Sequence, residues 1–156
     1  GYSKVWFSPK FKGPGLRYEI GVVIKTSDIA WLHDPFPCGK HNDCTIFKKS
    51  LATFLEECER VEADDGYRAT DPAKCKSKSG FSMRNASDEL KDMKNRVRAR
   101  QETTNKRIKQ FASISGIFGH DLKNHSNFVF AAVVLTQLSI EIGQPLFQVD
   151  YDNTFN

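Results

Sequence analysis

Three acids stand where a reaction on phosphate could use them: Asp43 in "GKHNDCTIF", Asp64 in "VEADDGY" and Glu102 in "ARQETTNKRIKQF". Carboxylates gathered at one point repel each other and take up protons unless a cation joins them. Mg²⁺ (or Mn²⁺) is the natural cation, because it takes a few carboxylate oxygens and leaves room for water and substrate phosphate. Two such ions can activate a water and stabilise the leaving oxygen of an in-line phosphoryl displacement. Glu102 stands among Arg98, Arg100, Lys106 and Lys109, cations that suit a phosphate backbone. Lys10 and Lys12, beside a Gly-Pro-Gly turn, complete the set of candidate phosphate contacts.

Each acid also has an ordinary role open to it. Asp43 can cap a helix, Asp64 can sit in the turn before Gly66, and Glu102 can be one solvated acid on a charged helix. Helical arithmetic sets Glu102 roughly opposite Val97 and Ile108, which fits either a solvent-facing or a substrate-facing position. His41, His120 and His125 read as loop and cap residues, not ligands.

The elements that must position these acids follow from local pattern. Residues 16–26 are rich in β-branched and aromatic types after a "KGPG" turn, which predicts a strand. A turn at 27–28 predicts a hairpin into a second strand at 29–33. Two prolines and a glycine in 34–40 argue against regular structure there. Asn42 or Asp43 starts a helix over 42–58, with Phe47, Leu51, Phe54, Leu55 and Cys58 on one face. Residues 60–64 predict a short strand ending at Asp64. The polar segment 69–82 reads as a loop or insertion.

Residues 87–111 predict a helix begun by Ser87 or Asp88, with Met93, Val97, Thr104, Ile108 and Phe111 as a thin apolar stripe. Residues 125–143 are apolar nearly all round and close on Gly143, which predicts a buried helix. The order is strand, strand, helix, strand, helix, helix. That is most of a ribonuclease-H-like layout: an α/β fold with a mixed sheet flanked by helices, its first strand missing from this fragment. In such a layout the strand after a crossover helix ends at a ligand site. Asp64 falls at that end.

Bulk properties agree with one soluble domain over residues 1–156. The 156 residues are 39% hydrophobic and 27% charged, with a net charge of +4, long enough to bury a core and mildly suggestive of an anionic partner. The four cysteines, at 38, 44, 58 and 75, lack the close pairing of a zinc site and read as reduced thiols. The apolar run 128–140 reads as too short and interrupted to cross a bilayer. The chain opens on Gly1 and not Met, so it reads as a piece of something longer.

Five stretches in this order, "YSKVWFSPKFKGPGLRYEIGVVI", "GKHNDCTIF", "VEADDGY", "ARQETTNKRIKQF" and "HSNFVFAAVVLTQLSIEIGQPLF", resemble the DDE endonuclease domain of Harbinger-type transposases, including their domesticated relatives. The likeness spans nearly the whole chain. It implies a ribonuclease-H-like core that cuts or joins DNA with divalent metal, in a nuclear or otherwise intracellular setting. It assigns Asp43, Asp64 and Glu102 as both catalytic and metal-ligating, and favours Asp64 over its neighbour Asp65. It implies a first aspartate on a strand just before Tyr2, and an upstream DNA-binding region or a separate protein to supply specificity. Asp28, in the expected hairpin turn, cannot replace that aspartate. The alternative is a domesticated, catalytically inactive DNA-binding or protein-interaction domain.

Overall fold

The computed structural model describes residues 3–64, 67, 75–77 and 87–150. The chain falls into two units, residues 1–20 with 33–91, and residues 21–32 with 92–156. Elements are mixed α and β, and the sheets among the described residues are three two-stranded pairs.

In the first unit, β1 (Phe7–Ser8) pairs antiparallel with β2 (Gly13–Pro14). Gly39 closes this region. Its N–H donates to the Val5 carbonyl at 2.9 Å, and a Cβ there would stand 2.0 Å from the Lys4 carbonyl oxygen. Only glycine lets the two backbones approach so closely.

The predicted hairpin forms as β3 (Leu16–Val22) and β4 (Ile29–Pro37). β4 corrects the expectation for 34–40, because it continues through Pro35 and Pro37. Residues two apart turn their N–H groups to the same strand edge, and a two-stranded ribbon has an outer edge where a missing donor costs nothing.

The next helix starts as expected and ends early. Asn42, not Asp43, is the N-cap: its side-chain oxygen accepts from the Thr45 N–H at 2.8 Å. α1 spans Asp43–Lys49 and stops at Ser50, followed by a 3₁₀ turn at Leu51–Thr53. Ser50 donates its hydroxyl to the Ile46 carbonyl at 2.8 Å and to the Glu19 carboxylate, so that carboxylate competes for the helix end. Phe47 is buried, which stabilises the fold by about 2 kcal/mol. Phe54, expected on the same apolar face, is exposed because the helix no longer carries it there.

β5 (Val61–Ala63) ends just before Asp64, as predicted, and pairs parallel with β6 (Cys75–Ser77). β6 corrects the reading of 69–82 as loop. Its Cys75 is buried, an apolar anchor in a polar stretch. The remainder of that segment, and Asp65, lie outside the described residues.

The second unit carries the hairpin tip, where the Val23 N–H donates to Asp28 O at 2.8 Å, and most of α2 (Asp88–Ile108). α2 begins where Ser87 Oγ accepts from the Leu90 N–H. Met93, Val97, Thr104 and Ile108 are buried as the stripe predicted, and Arg100 and Lys94 are buried with them. A short α3 (Ala112–Ser115) and a 3₁₀ turn (Leu122–Asn124) lead to α4 (His125–Ile142), with Gly143 at its C-cap.

α4 is buried on one face only. Val129, Ala132, Val133, Thr136 and Ile140 are inside, while Phe130, Val134, Leu135, Leu138 and Ile142 are exposed. Residues 122–142 are long and apolar enough to span a bilayer by length and composition, more than the run 128–140 suggested; core helices pass the same test. Polar ties hold α4 within its unit. Gln137 Oε1 accepts from the Ile29 N–H at 2.8 Å, and Gln137 Nε2 donates to Asp28 Oδ1 at 3.2 Å. Just beyond the helix, the Gln144 carbonyl accepts from Arg107.

Candidate active site

Asp43 and Asp64 belong to the first unit and Glu102 to the second. In the first unit the two aspartates share a neighbour that sequence reasoning missed. Tyr67 follows the end of β5, its N–H donating to the Asp64 carbonyl at 3.2 Å. Its ring meets Phe47 of α1 edge-on, with centroids 5.7 Å apart. Burial first, then the negative charges of Asp43, Glu19 and Asp64 and the Cys75 sulfur, hold the Tyr67 phenol protonated well above the usual tyrosine range. A helix start, a strand interior and a strand end thus bring three carboxylates to bear on one hydroxyl.

Glu19 is the second residue missed. It lies on β3 and is buried; its Oε2 accepts from the Ser50 hydroxyl and from the Leu51 N–H at 3.3 Å. Burying a carboxylate is costly unless donors meet it, and the end of α1 supplies them. A charged residue in mid-strand, in step with Arg17 two positions earlier, was the available signal.

Arg17 is the third. Its Nη1 stands 3.0 Å from Asp43 Oδ1 and donates to the His41 carbonyl at 2.9 Å. The Asp43 carboxylate is therefore paired with a guanidinium. Asp64 is exposed at the end of β5. Among the described residues no group of three or more His, Cys, Asp and Glu side chains is arranged to hold a metal ion.

In the second unit Glu102 is exposed on α2, one turn from Arg98 and one from Lys106. Lys106 and Lys109 are exposed and Arg98 half-buried, so these three can reach an external anion. Arg100 cannot. It is 1% exposed, and its guanidinium donates to Ser27 Oγ at 2.9 Å and to the Ile24 carbonyl. The geometry removes it from the candidate phosphate contacts. Position 100 fills the gap between Val97 and Thr104 in the buried stripe, which was the sequence sign of its inward turn. In the first unit Lys10 and Lys12 are exposed, with the Lys10 ammonium 5.7 Å from the Phe11 ring centroid.

His41 precedes the α1 cap and His125 opens α4. His125 packs on Phe118 at 4.6 Å between ring centroids, and burial pulls its pKa below the usual value. Compared with known proteins, the chain matches no family model, no curated protein and no solved structure.

Proposed function

We propose that this chain is catalytic-domain sequence of a DDE-type DNA endonuclease or transposase, with a ribonuclease-H-like arrangement of its strands and helices. The reaction is phosphodiester hydrolysis or strand transfer on DNA, dependent on Mg²⁺ or Mn²⁺, with Asp43, Asp64 and Glu102 as the acids. The five stretches in family order support this reading. The observation that carries it is Tyr67 as a link between acids remote in sequence: its N–H donates to the Asp64 carbonyl at 3.2 Å past the end of β5, and its ring packs on Phe47 of α1, the helix that Asp43 opens. Exposed Lys106 and Lys109 beside Glu102 suit a DNA backbone.

The test is plasmid nicking by the chain extended upstream through the acid-bearing strand that the resemblance implies. Nicking that requires Mn²⁺ or Mg²⁺ and disappears in Asp43→Asn, Asp64→Asn and Glu102→Gln is the expected result. Equal nicking by Glu102→Gln and its parent would overturn the assignment.

A second reading is a domesticated DNA-binding or protein-interaction domain without chemistry. It is favoured by the Arg17–Asp43 pair and by the lack of a three-acid metal group among the described residues. DNA binding without nicking in the same extended protein would select it.

A further inference from the structure

We propose that Arg17 is the resident counter-ion of Asp43, and that a divalent cation and Arg17 compete for that one carboxylate. The inference rests on the reading of Asp43 as an acid of a metal-dependent site, and it starts from the disagreement between that reading and the geometry.

Arg17 projects from β3 and is fixed at two points. One guanidinium nitrogen meets both Asp43 Oδ1, at 3.0 Å, and the His41 carbonyl, at 2.9 Å. The second anchor distinguishes this from a casual surface pair. His41 and Asp43 flank Asn42, whose side chain caps α1, so the carbonyl and the carboxylate are held on a rigid helix start. Neither partner is shut away: the Arg17 and Asp43 side chains are 30% and 44% exposed. An incoming ion can therefore reach the carboxylate, and the guanidinium can swing off without opening a core.

A guanidinium satisfies a carboxylate by donating hydrogen bonds, whereas Mg²⁺ and Mn²⁺ need the same oxygen lone pairs for coordination. Both draw on the negative charge of the same small carboxylate, and a retained Arg17 repels the ion. This chain accordingly binds divalent ions weakly at Asp43, and losing the guanidinium strengthens that binding. Lysine keeps the charge but cannot reproduce the planar fork, so it separates repulsion from hydrogen bonding.

The experiment is Mn²⁺ binding to the full chain, followed by the paramagnetic resonance signal of unbound Mn²⁺. Arg17→Gln is expected to bind Mn²⁺ about fivefold more tightly than wild type, an exposed pair being worth a factor of this order. Arg17→Lys is expected to fall between the two, and the gain should vanish in the Arg17→Gln/Asp43→Asn double variant. A folded Arg17→Gln protein with wild-type affinity, or a gain that survives loss of the Asp43 carboxylate, would overturn the proposal.

Wild type offers a measurement that needs no variant. Saturating Mn²⁺, unlike NaCl of equal ionic strength, should accelerate phenylglyoxal modification of Arg17 read by peptide mass spectrometry; an unchanged rate also overturns the proposal. Nicking that ignores Asp43 while Arg17 still competes with Mn²⁺ would sink the nuclease reading alone. Asp43-dependent nicking with no Arg17 effect would sink this inference alone.

Discussion

Arg100 and Ser27 meet inside the second unit, the guanidinium donating to the hydroxyl at 2.9 Å across 73 residues of sequence. Ser27 is buried and holds a left-handed backbone, φ 72°, which a non-glycine residue adopts only when its surroundings hold it there. The same guanidinium accepts no help from solvent and also serves the Ile24 carbonyl. Arg100→Met fills similar space but leaves a buried carbonyl and hydroxyl without their charged donor. It should cost about 3 kcal/mol, read as a lower urea midpoint with an unchanged slope. A loss below about 1 kcal/mol would mean the two groups find other partners.

Gly39→Ala should be among the most damaging single-methyl additions in the chain. The new carbon would collide with the Lys4 carbonyl oxygen and crowd those of Val5 and Phe7, all of them backbone atoms that no side-chain rotation can move. A loss of about 3 kcal/mol or more is expected. Gly119→Ala, where nothing lies within 4 Å of the added carbon, is the matched control and should change stability by less than about 1 kcal/mol.

Two titrations bound the pH range of stability. Tyr67 keeps its proton in the fold because burial and nearby carboxylates disfavour the phenolate. The unfolded chain releases that proton near pH ~10, so stability falls as pH rises beyond that value. His125 has its pKa lowered by burial. Below about 6.5 the unfolded chain takes up a proton that the folded one resists, so stability is lost as pH falls from there toward the lowered folded value. Denaturation midpoints across pH should show both limbs; Tyr67→Phe should flatten the alkaline one and His125→Gln the acid one.

DNA binding should depend on the solvent-reaching cations of α2, half-buried Arg98 among them, and on exposed Lys109 just past it. Arg98→Gln with Lys109→Gln should weaken binding to all DNA sequences and reduce the slope of log K against log salt by about 2. Arg100→Met, in a protein still folded, should leave that slope alone, because the buried guanidinium faces Ser27 and Ile24 and not solvent. A slope reduced by Arg100→Met and unmoved by the double change would reverse the assignment.

Periodicity and caps foretold α2, α4, the hairpin and β5, because each depends on contacts within a turn or two of chain. Asn42 and Ser87 worked as cap signals for the same reason. What failed depended on distant partners. The end of α1 is set by Glu19, 31 residues from Ser50, and a helical face drawn through Phe54 and Cys58 had no knowledge of it. β6 was hidden because a parallel partner leaves no turn signal beside it. The acids Asp43 and Asp64 were chosen from the sequence; Arg17 and Glu19 left only the faint sign of charge in mid-strand, and their partners, like that of Tyr67, come from contacts with α1 and its end. The apolar composition of α4 spoke for burial all round, and one-sided burial is a property of what surrounds the helix.

The two prolines of β4 have an effect beyond tolerance. Pro35 and Pro37 strip two successive donors from one rim of the ribbon, and a strand arriving there from another molecule would find no ladder to extend. Short sheets with open rims are where chains fuse into fibrils. Here the sequence itself blunts the Pro35–Pro37 end of that rim, while at the other end of β4 the Ile29 N–H is taken by Gln137 of α4.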